Sequence, residues 1–393
     1  MKKLNKILAV LISVMTVGIF ADTAVSAEMY GDIEYSEYNS EVHIYKYRGS
    51  ETNVDIPDEI NGKKVTEINQ SAFQECKSIT SVTIPDSVIL IDSHAFYDCP
   101  NLKTVNIGSG VEEIKSNAFI RCFDLEEINV DENNQNFLSY DGILFSKNKD
   151  ILIKCPSAKE GKCIIPNSVL EIAENAFIAC KGLTEIKIPE SVTKIGDFAF
   201  LNCSGMASIN IPDKLAKIAS SAFFGCEGLT SVKIPEGVTV IEAAAFDGCT
   251  GLISVIIPDS VTEIGMGAFS GCTSLKNISI GSGMKKINTT VFYESDNISD
   301  VYFNGSEVQW NSIEIGYNNS TLTDANIHYN SKMPEEFIEE SKAFTENITE
   351  TAITNPAEKQ NTDNGMNMII IVILAVVALG GIVVAIIFLR KKN

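Results

Sequence analysis

LTEIKIPESVTKIGDFAFLNCSG (183–205), MASINIPDKLAKIASSAFFGCEG (206–228), LTSVKIPEGVTVIEAAAFDGCTG (229–251) and LISVIIPDSVTEIGMGAFSGCTS (252–274) follow one another without a break. Each line is 23 residues long, and each column keeps one chemistry. Phe177, Phe200, Phe223, Phe246, Phe269 and Phe292 hold that spacing, as do Cys180, Cys203, Cys226, Cys249 and Cys272. Upstream, Phe73, Phe96 and Phe119 with Cys76, Cys99 and Cys122 form the same ladder. Self-similarity at a short fixed period marks a solenoid, in which each unit buries its apolar face against its neighbours.

A single repeat shows how. Leu229, Val232 and Ile234 turn one face of a short strand inward. Pro57, Pro85, Pro166, Pro189, Pro212, Pro235 and Pro258 follow such strands, and proline, lacking an N–H, ends the pairing. Gly108 and Gly281 replace it in two Ile-Gly-Ser-Gly turns. Val238 and Ile241 point inward again, and Ala245-Phe246 closes the coil. One parallel strand per coil, stacked at about 4.8 Å, predicts a continuous column of Phe rings in one interior. The cysteine column reads as small buried side chains whose parallel Cβ vectors disfavour disulfides. Cys155 and Cys163 lie off register in one loop, where a local disulfide stays open.

The regularity fails in three places. Phe119 and Phe177 are separated by one repeat plus extra material at about 131–164, whose Asp141-Gly142 and Lys147-Asn148-Lys149 turns predict a small β insertion. That insertion either lengthens one coil or carries binding. Residues 28–60, with the alternating stretch Val42–Tyr47, read as an N-terminal cap to a solenoid at 61–303, and 304–330, with the chain's one Trp, as a C-terminal cap.

The ends are targeting devices by their pattern. Lys2, Lys3 and Lys6, the apolar run from Ile7 to Phe20 and Val25-Ser26-Ala27 predict a signal peptide at 1–27. Residues 366–389 hold no charge and precede Arg390, Lys391 and Lys392, which predicts one transmembrane helix with a cytosolic tail at 390–393. The solenoid would then lie outside the plasma membrane on an acidic, disordered stalk at 331–365. A formal charge of −20 argues against nucleic acid as partner.

The IPxxVxxIxxxAFxxCxxL column, together with Gly142–Phe145 and Glu307-Val308-Gln309-Trp310, resembles the BspA-type leucine-rich repeats of bacterial surface proteins. The resemblance covers roughly 54–303 and implies a β-rich leucine-rich-repeat solenoid. It further implies adhesion, host or interbacterial contact, or envelope association, with no shared catalytic residue.

No chemistry stands beside it. His43, His94 and His328 are isolated in sequence, with no zinc-protease or serine-hydrolase pattern, and no metal or cofactor is expected. The outward strand columns offer a candidate binding face in Thr184, Lys187, Asn210, Thr230, Lys233, Ile253, Ile256, Lys276 and Ser279. The expected function is recognition of a protein or polysaccharide at the envelope, another cell or a host surface. A structural envelope scaffold without a separate ligand is the alternative, and a wall-glycan enzyme with an unseen carboxylate pair the remote one.

Overall fold

The structure, a computed structural model, describes residues 27–335, 337, 372–378 and 381–387. The signal-peptide expectation, apart from Ala27, falls outside the described residues. Residues 28–329 wind into a β-solenoid whose coils contribute two strands each, not the one expected. A longer strand, such as Ser231–Lys233, is followed by a two-residue strand, such as Val240–Ile241. Both pair in parallel with the residues one repeat on: Val232 with Val255, Ile241 with Ile264. Two residues are too few to show strand period, which is why the second ladder is invisible to pattern reading.

The third edge of each coil is held by the Ala-Phe turn. The Phe223 N–H donates to the Ala245 carbonyl at 2.8 Å, and the Gly225 N–H to the Asp247 carbonyl at 2.8 Å. Phe200 and Asn202, then Phe246 and Gly248, repeat the same two bonds. The backbone reaches them by entering the left-handed region twice per coil, at Phe198 (φ 57°) and Asn202 (φ 59°), for example, and again at Ala244 (φ 53°). Glycine occupies the second of these positions at 225, 248 and 271, where a Cβ would be strained.

The rings stack, but not in one column. Phe177 through Phe292 lie 5.0–5.7 Å apart between successive centroids. Phe73, Phe96 and Phe119 form a separate stack at 5.0 and 5.5 Å. Two apolar cores result, one from Ile33 to Leu144 and one from Ile143 to Leu322, so the expected single interior is divided. The reason is the insertion. Its antiparallel strands Phe137–Tyr140, Ile143–Ser146 and Ile151–Lys154 interrupt the stack. In the middle strand Leu144 joins the first core while Ile143 and Phe145 join the second, as the two-residue period of a strand requires. Cys155 then stands where a Phe would: its N–H donates to the Ala176 carbonyl at 2.7 Å.

Each end of the array is closed by a substitute. Antiparallel strands Glu28–Tyr30, Ile33–Tyr38 and Glu41–Tyr47 open the described solenoid, and Tyr47 takes the Phe place, stacking on Phe73 at 5.2 Å. Its N–H donates to the Ala72 carbonyl at 2.7 Å. At the far end the coil after Phe292 has no Ala-Phe turn, and the Phe292 N–H donates instead to the Asn319 side-chain oxygen at 3.1 Å. Trp310, at the end of the short helix Glu307–Trp310, packs edge-on against Phe303 at 5.2 Å.

Two expectations for the C-terminal part meet only a few described residues, and the stalk at 336 and 338–365 lies outside them. Residues at the start of the proposed stalk fold back onto the cap: the Ser331 N–H donates to the Phe303 carbonyl at 3.1 Å, and Met333 is buried. Within 366–389 the described residues form two antiparallel strands, Val372–Ala378 and Gly381–Ile387, rather than a helix. Among the described residues no helix is long and apolar enough to cross a membrane. This run is rich in β-branched Ile and Val, which favour extended backbone. Residues 366–371, 379–380 and 388–389 are outside the described set.

Candidate recognition surface

The longer strands alternate inward and outward, so their outward residues stack one coil upon the next. In the C-terminal half one such column runs Lys233, Ile256, Ser279, Tyr302 and His328. Beside it run Ser231, Ser254, Asn277, Asp300 and Asn326. In the N-terminal half the corresponding column is Asp55, Thr83, Asn106 and Asn129.

The nine sequence candidates all fall on or beside these strands, but they are not equivalent. Lys187, Lys233 and Lys276 are exposed, and among the described residues none joins an ion pair. Ile253 and Ile256 are half-buried, and Ser279 is only 9% exposed. Thr230 is 3% exposed, and its hydroxyl donates to the Ala207 carbonyl. The Thr184 hydroxyl likewise donates to the Gly161 carbonyl at 3.2 Å. Asn210 is exposed, yet its amide donates to the Ile188 carbonyl at 2.7 Å and accepts from the Ile188 N–H at 3.2 Å. It carries the pairing of Leu183–Lys187 with Ser208–Ile209 one step past the ends of those strands. The side chains left for a ligand on this face are therefore the three lysines.

The cysteine column is a hydrogen-bond ladder as well as packing. Cys203, Cys226, Cys249 and Cys272 each donate Sγ–H to the Phe carbonyl 26 residues earlier, at 3.1–3.2 Å. The Cys226 N–H bonds the Phe223 carbonyl at 3.3 Å and also lies against the Cys249 thiol. Burial pushes the Cys226 thiol up to about 12 and Cys249 and Cys272 also upward, so they stay protonated donors. Ser295, in the same register, does both tasks: it accepts from the Cys272 N–H at 3.0 Å and donates to the Phe269 carbonyl at 2.8 Å. All ten cysteines are free thiols, Cys155 and Cys163 among them.

Two side-chain amides were missed from sequence. Asn134, wholly buried, donates to the Gly108 and Val111 carbonyls and accepts from the Asn136 and Phe137 N–H groups, at 2.8–3.0 Å. That is its full capacity, and it fixes the entry to the insertion. Asn319 was the other. Only the rarity of buried asparagine could have signalled either, and burial is not visible in a loop's composition.

The surface holds two recesses at the ends of the longer strands. One, of about 790 Å³, is lined by residues that include Asp58, Lys64, Asp86, Asn106, Asn129 and Asp131. The other, of about 280 Å³, includes Ile256, Asp259, Ser279, Asn304, Lys332 and Met333. Asp86 is held below the usual carboxylate range by the Ser109 N–H, and Asp259 by the Asn304 amide. Among the described residues no group of three or more His, Cys, Asp or Glu is placed to hold a metal ion.

The model of the BspA-type leucine-rich-repeat region matches 41–141, 149–256 and 239–359, in six copies. The chain belongs to this family. Among solved structures it is similar to a leucine-rich-repeat protein of Eubacterium ventriosum, at 20% identity and TM-score 0.56, covering 78% of this chain and 96% of that one. It is also similar to a leucine-rich cell surface protein of Faecalibacterium prausnitzii, at 26% identity and TM-score 0.44, covering 74% of this chain and 97% of the other. A leucine-rich-repeat protein of Bacteroides ovatus is 26% identical at TM-score 0.48, with 74% of this chain and 67% of that one covered. No curated protein matches the chain.

Proposed function

We propose that this protein is a recognition module of the bacterial cell surface, binding a protein or an acidic polysaccharide through the longer-strand face of its C-terminal half. The observation that carries this is the trio of exposed, unpaired lysines, Lys187, Lys233 and Lys276, set on a regular polar surface. A solenoid presents such a surface as a long continuous strip, and its backbone there is already spent on pairing, so specificity falls to the side chains. Family membership supports recognition or adhesion as the broad role. The charged start followed by an apolar run, and the apolar stretch 366–389 with its basic flank, support export and retention at the plasma membrane.

The test is saturable binding of the purified protein to whole cells, matrix proteins and wall polysaccharides. The triple variant Lys187→Ala, Lys233→Ala, Lys276→Ala should weaken that binding roughly tenfold or more, about 1.4 kcal/mol, and flatten its salt dependence. Binding that ignores the three substitutions would move the interface elsewhere. Deleting 366–393 should release the protein into the medium; retention on the cell would refute the anchor.

A further inference from the structure

The two recesses are the same local structure built twice. Ile84-Pro85-Asp86 is followed one coil on by Ile107-Gly108-Ser109-Gly110, and Ile257-Pro258-Asp259 by Ile280-Gly281-Ser282-Gly283. A Cβ on Gly108 or Gly281 would fall inside 3.0 Å of the preceding Pro-Asp backbone. Glycine therefore lets one coil sink against its neighbour and opens a hollow. In both, the aspartate accepts from the following serine N–H, Asp86 from Ser109 at 2.7 Å and Asp259 from Ser282 at 2.6 Å. The next coil adds Asp131 in one case and Asn304 in the other, each with its N–H on the equivalent isoleucine carbonyl, Ile107 or Ile280, at 2.9 Å.

What differs is the cover. Over the C-terminal recess the chain lays its own segment: Ser331 is bonded to Phe303, Met333 is buried, and Lys332 is near enough to lower the Asp259 carboxyl. Asn304 bridges both Asp259 oxygens at 3.1 and 3.0 Å. The N-terminal recess has no such segment in its lining and is nearly three times as large. Asp131 replaces the amide there, and Asp58, Asp86 and Asp131 line the recess together with Lys64. Asp58 and Asp131 are held by the Ser87 and Asn133 N–H groups at 3.1 and 2.8 Å, so the acidic wall is fixed in place.

We propose that the N-terminal recess binds an extended basic segment of a partner protein. A lysine or arginine of that segment would lie between Asp86 and Asp131, with an apolar neighbour in the hollow left by Gly108, as Lys332 and Met333 lie in the second recess. The site is separate from the lysine face, so either can fail without the other.

The probe is a fluorescent peptide with the sequence of residues 329–337 in which Glu335 and Glu336 are glutamine, titrated by anisotropy against the full-length protein in detergent. Saturable binding is expected, weakened roughly tenfold by Asp86→Asn with Asp131→Asn, and similarly when the probe's lysine is changed to glutamine. Asparagine keeps an acceptor for Ser109 and Asn133, and an unchanged melting midpoint shows that the variant folds. Absence of saturable binding would overturn the proposal. So would loss of binding on Asp259→Asn alone, which would seat the peptide in the other recess. Indifference to both the aspartate and the lysine changes, or displacement of a neutral wall oligosaccharide as the tighter ligand, would refute a basic peptide as the occupant.

Discussion

The two halves of the solenoid are built from one repeat and yet differ in depth and in face. The N-terminal half stacks three phenylalanines beneath Tyr47; the C-terminal half stacks six. The first presents a column of Asp, Thr and Asn and an open acidic recess, the second three unpaired lysines and a recess covered by its own chain. What separates them is the three-stranded insertion, whose middle strand, Ile143–Ser146, gives fully or nearly fully buried side chains to both cores. The difference teaches that a repeat fixes the interior while leaving each stretch of surface free to vary, because outward columns carry no packing constraint.

The sharpest way to break this division is to damage one interior and watch the other. Phe200→Ala should cost about 3–5 kcal/mol, as should Phe96→Ala, since each ring is fully buried between two others. Hydrogen exchange should show faster opening of the strands around the altered ring and near-native protection in the opposite half. Equal loss of protection in both halves would make the molecule one cooperative unit and the insertion irrelevant. The neighbouring pair Leu144 and Phe145 refines the test at lower cost for the smaller residue. Leu144→Ala, about 2–5 kcal/mol, should loosen the N-terminal half, and Phe145→Ala the C-terminal half, although the two residues are adjacent.

How much of this was legible follows from what a period can encode. The stacked rings and the strand ending at Pro235 follow from columns of like residues, because burial selects the same chemistry in every coil. The split core was not legible: Ile143, Leu144 and Phe145 are all apolar, and only the pairing of their strand on both sides assigns them to different interiors. The outward strand positions of the candidate face were legible, but the availability of their side chains was not. Thr184, Thr230 and Asn210 look free in sequence because nothing local shows that the adjacent coil lends them a backbone partner. The recesses escaped because Gly108 and Gly281 read as turn residues, and their second consequence, close approach of two coils, is a tertiary fact.

The cysteine column offers a middle-sized effect, already sampled by the chain at Ser295. Cys249→Ser should change stability by less than about 1 kcal/mol, because a hydroxyl can keep both the Phe223 and Cys226 bonds. Cys249→Ala, which leaves the buried Phe223 carbonyl only its 3.3 Å bond from the Cys226 N–H, should cost about 1–2 kcal/mol. The wild-type protein should also lose stability in alkali. Its buried thiols titrate higher when folded than the ordinary value near 9, so below that pH their contribution is complete. Above it the unfolded chain releases protons that the folded one retains, and each such thiol subtracts up to about 1.4 kcal/mol per pH unit until the folded group titrates, for Cys226 at about 12. A urea midpoint that stays level from pH 8 to about 10 would contradict this.

The smallest effect concerns the backbone that the ladders force. Ala244 sits at φ 53°, where Gly267 replaces it in the next coil at φ 66°. An alanine there carries a left-handed penalty of about 1–2 kcal/mol, while glycine adds about 0.5–1 kcal/mol of unfolded-state entropy. Ala244→Gly should therefore stabilise by roughly 0.5–1 kcal/mol, with the gain confined to the C-terminal half. The same change at Ala245, which is fully buried and has no positive φ, should do the reverse, since it loses packing and gains only entropy in the unfolded chain. If both substitutions destabilise alike, the left-handed turn is not where the coil stores its strain, and the Ala-Phe edge must be held by the rings alone.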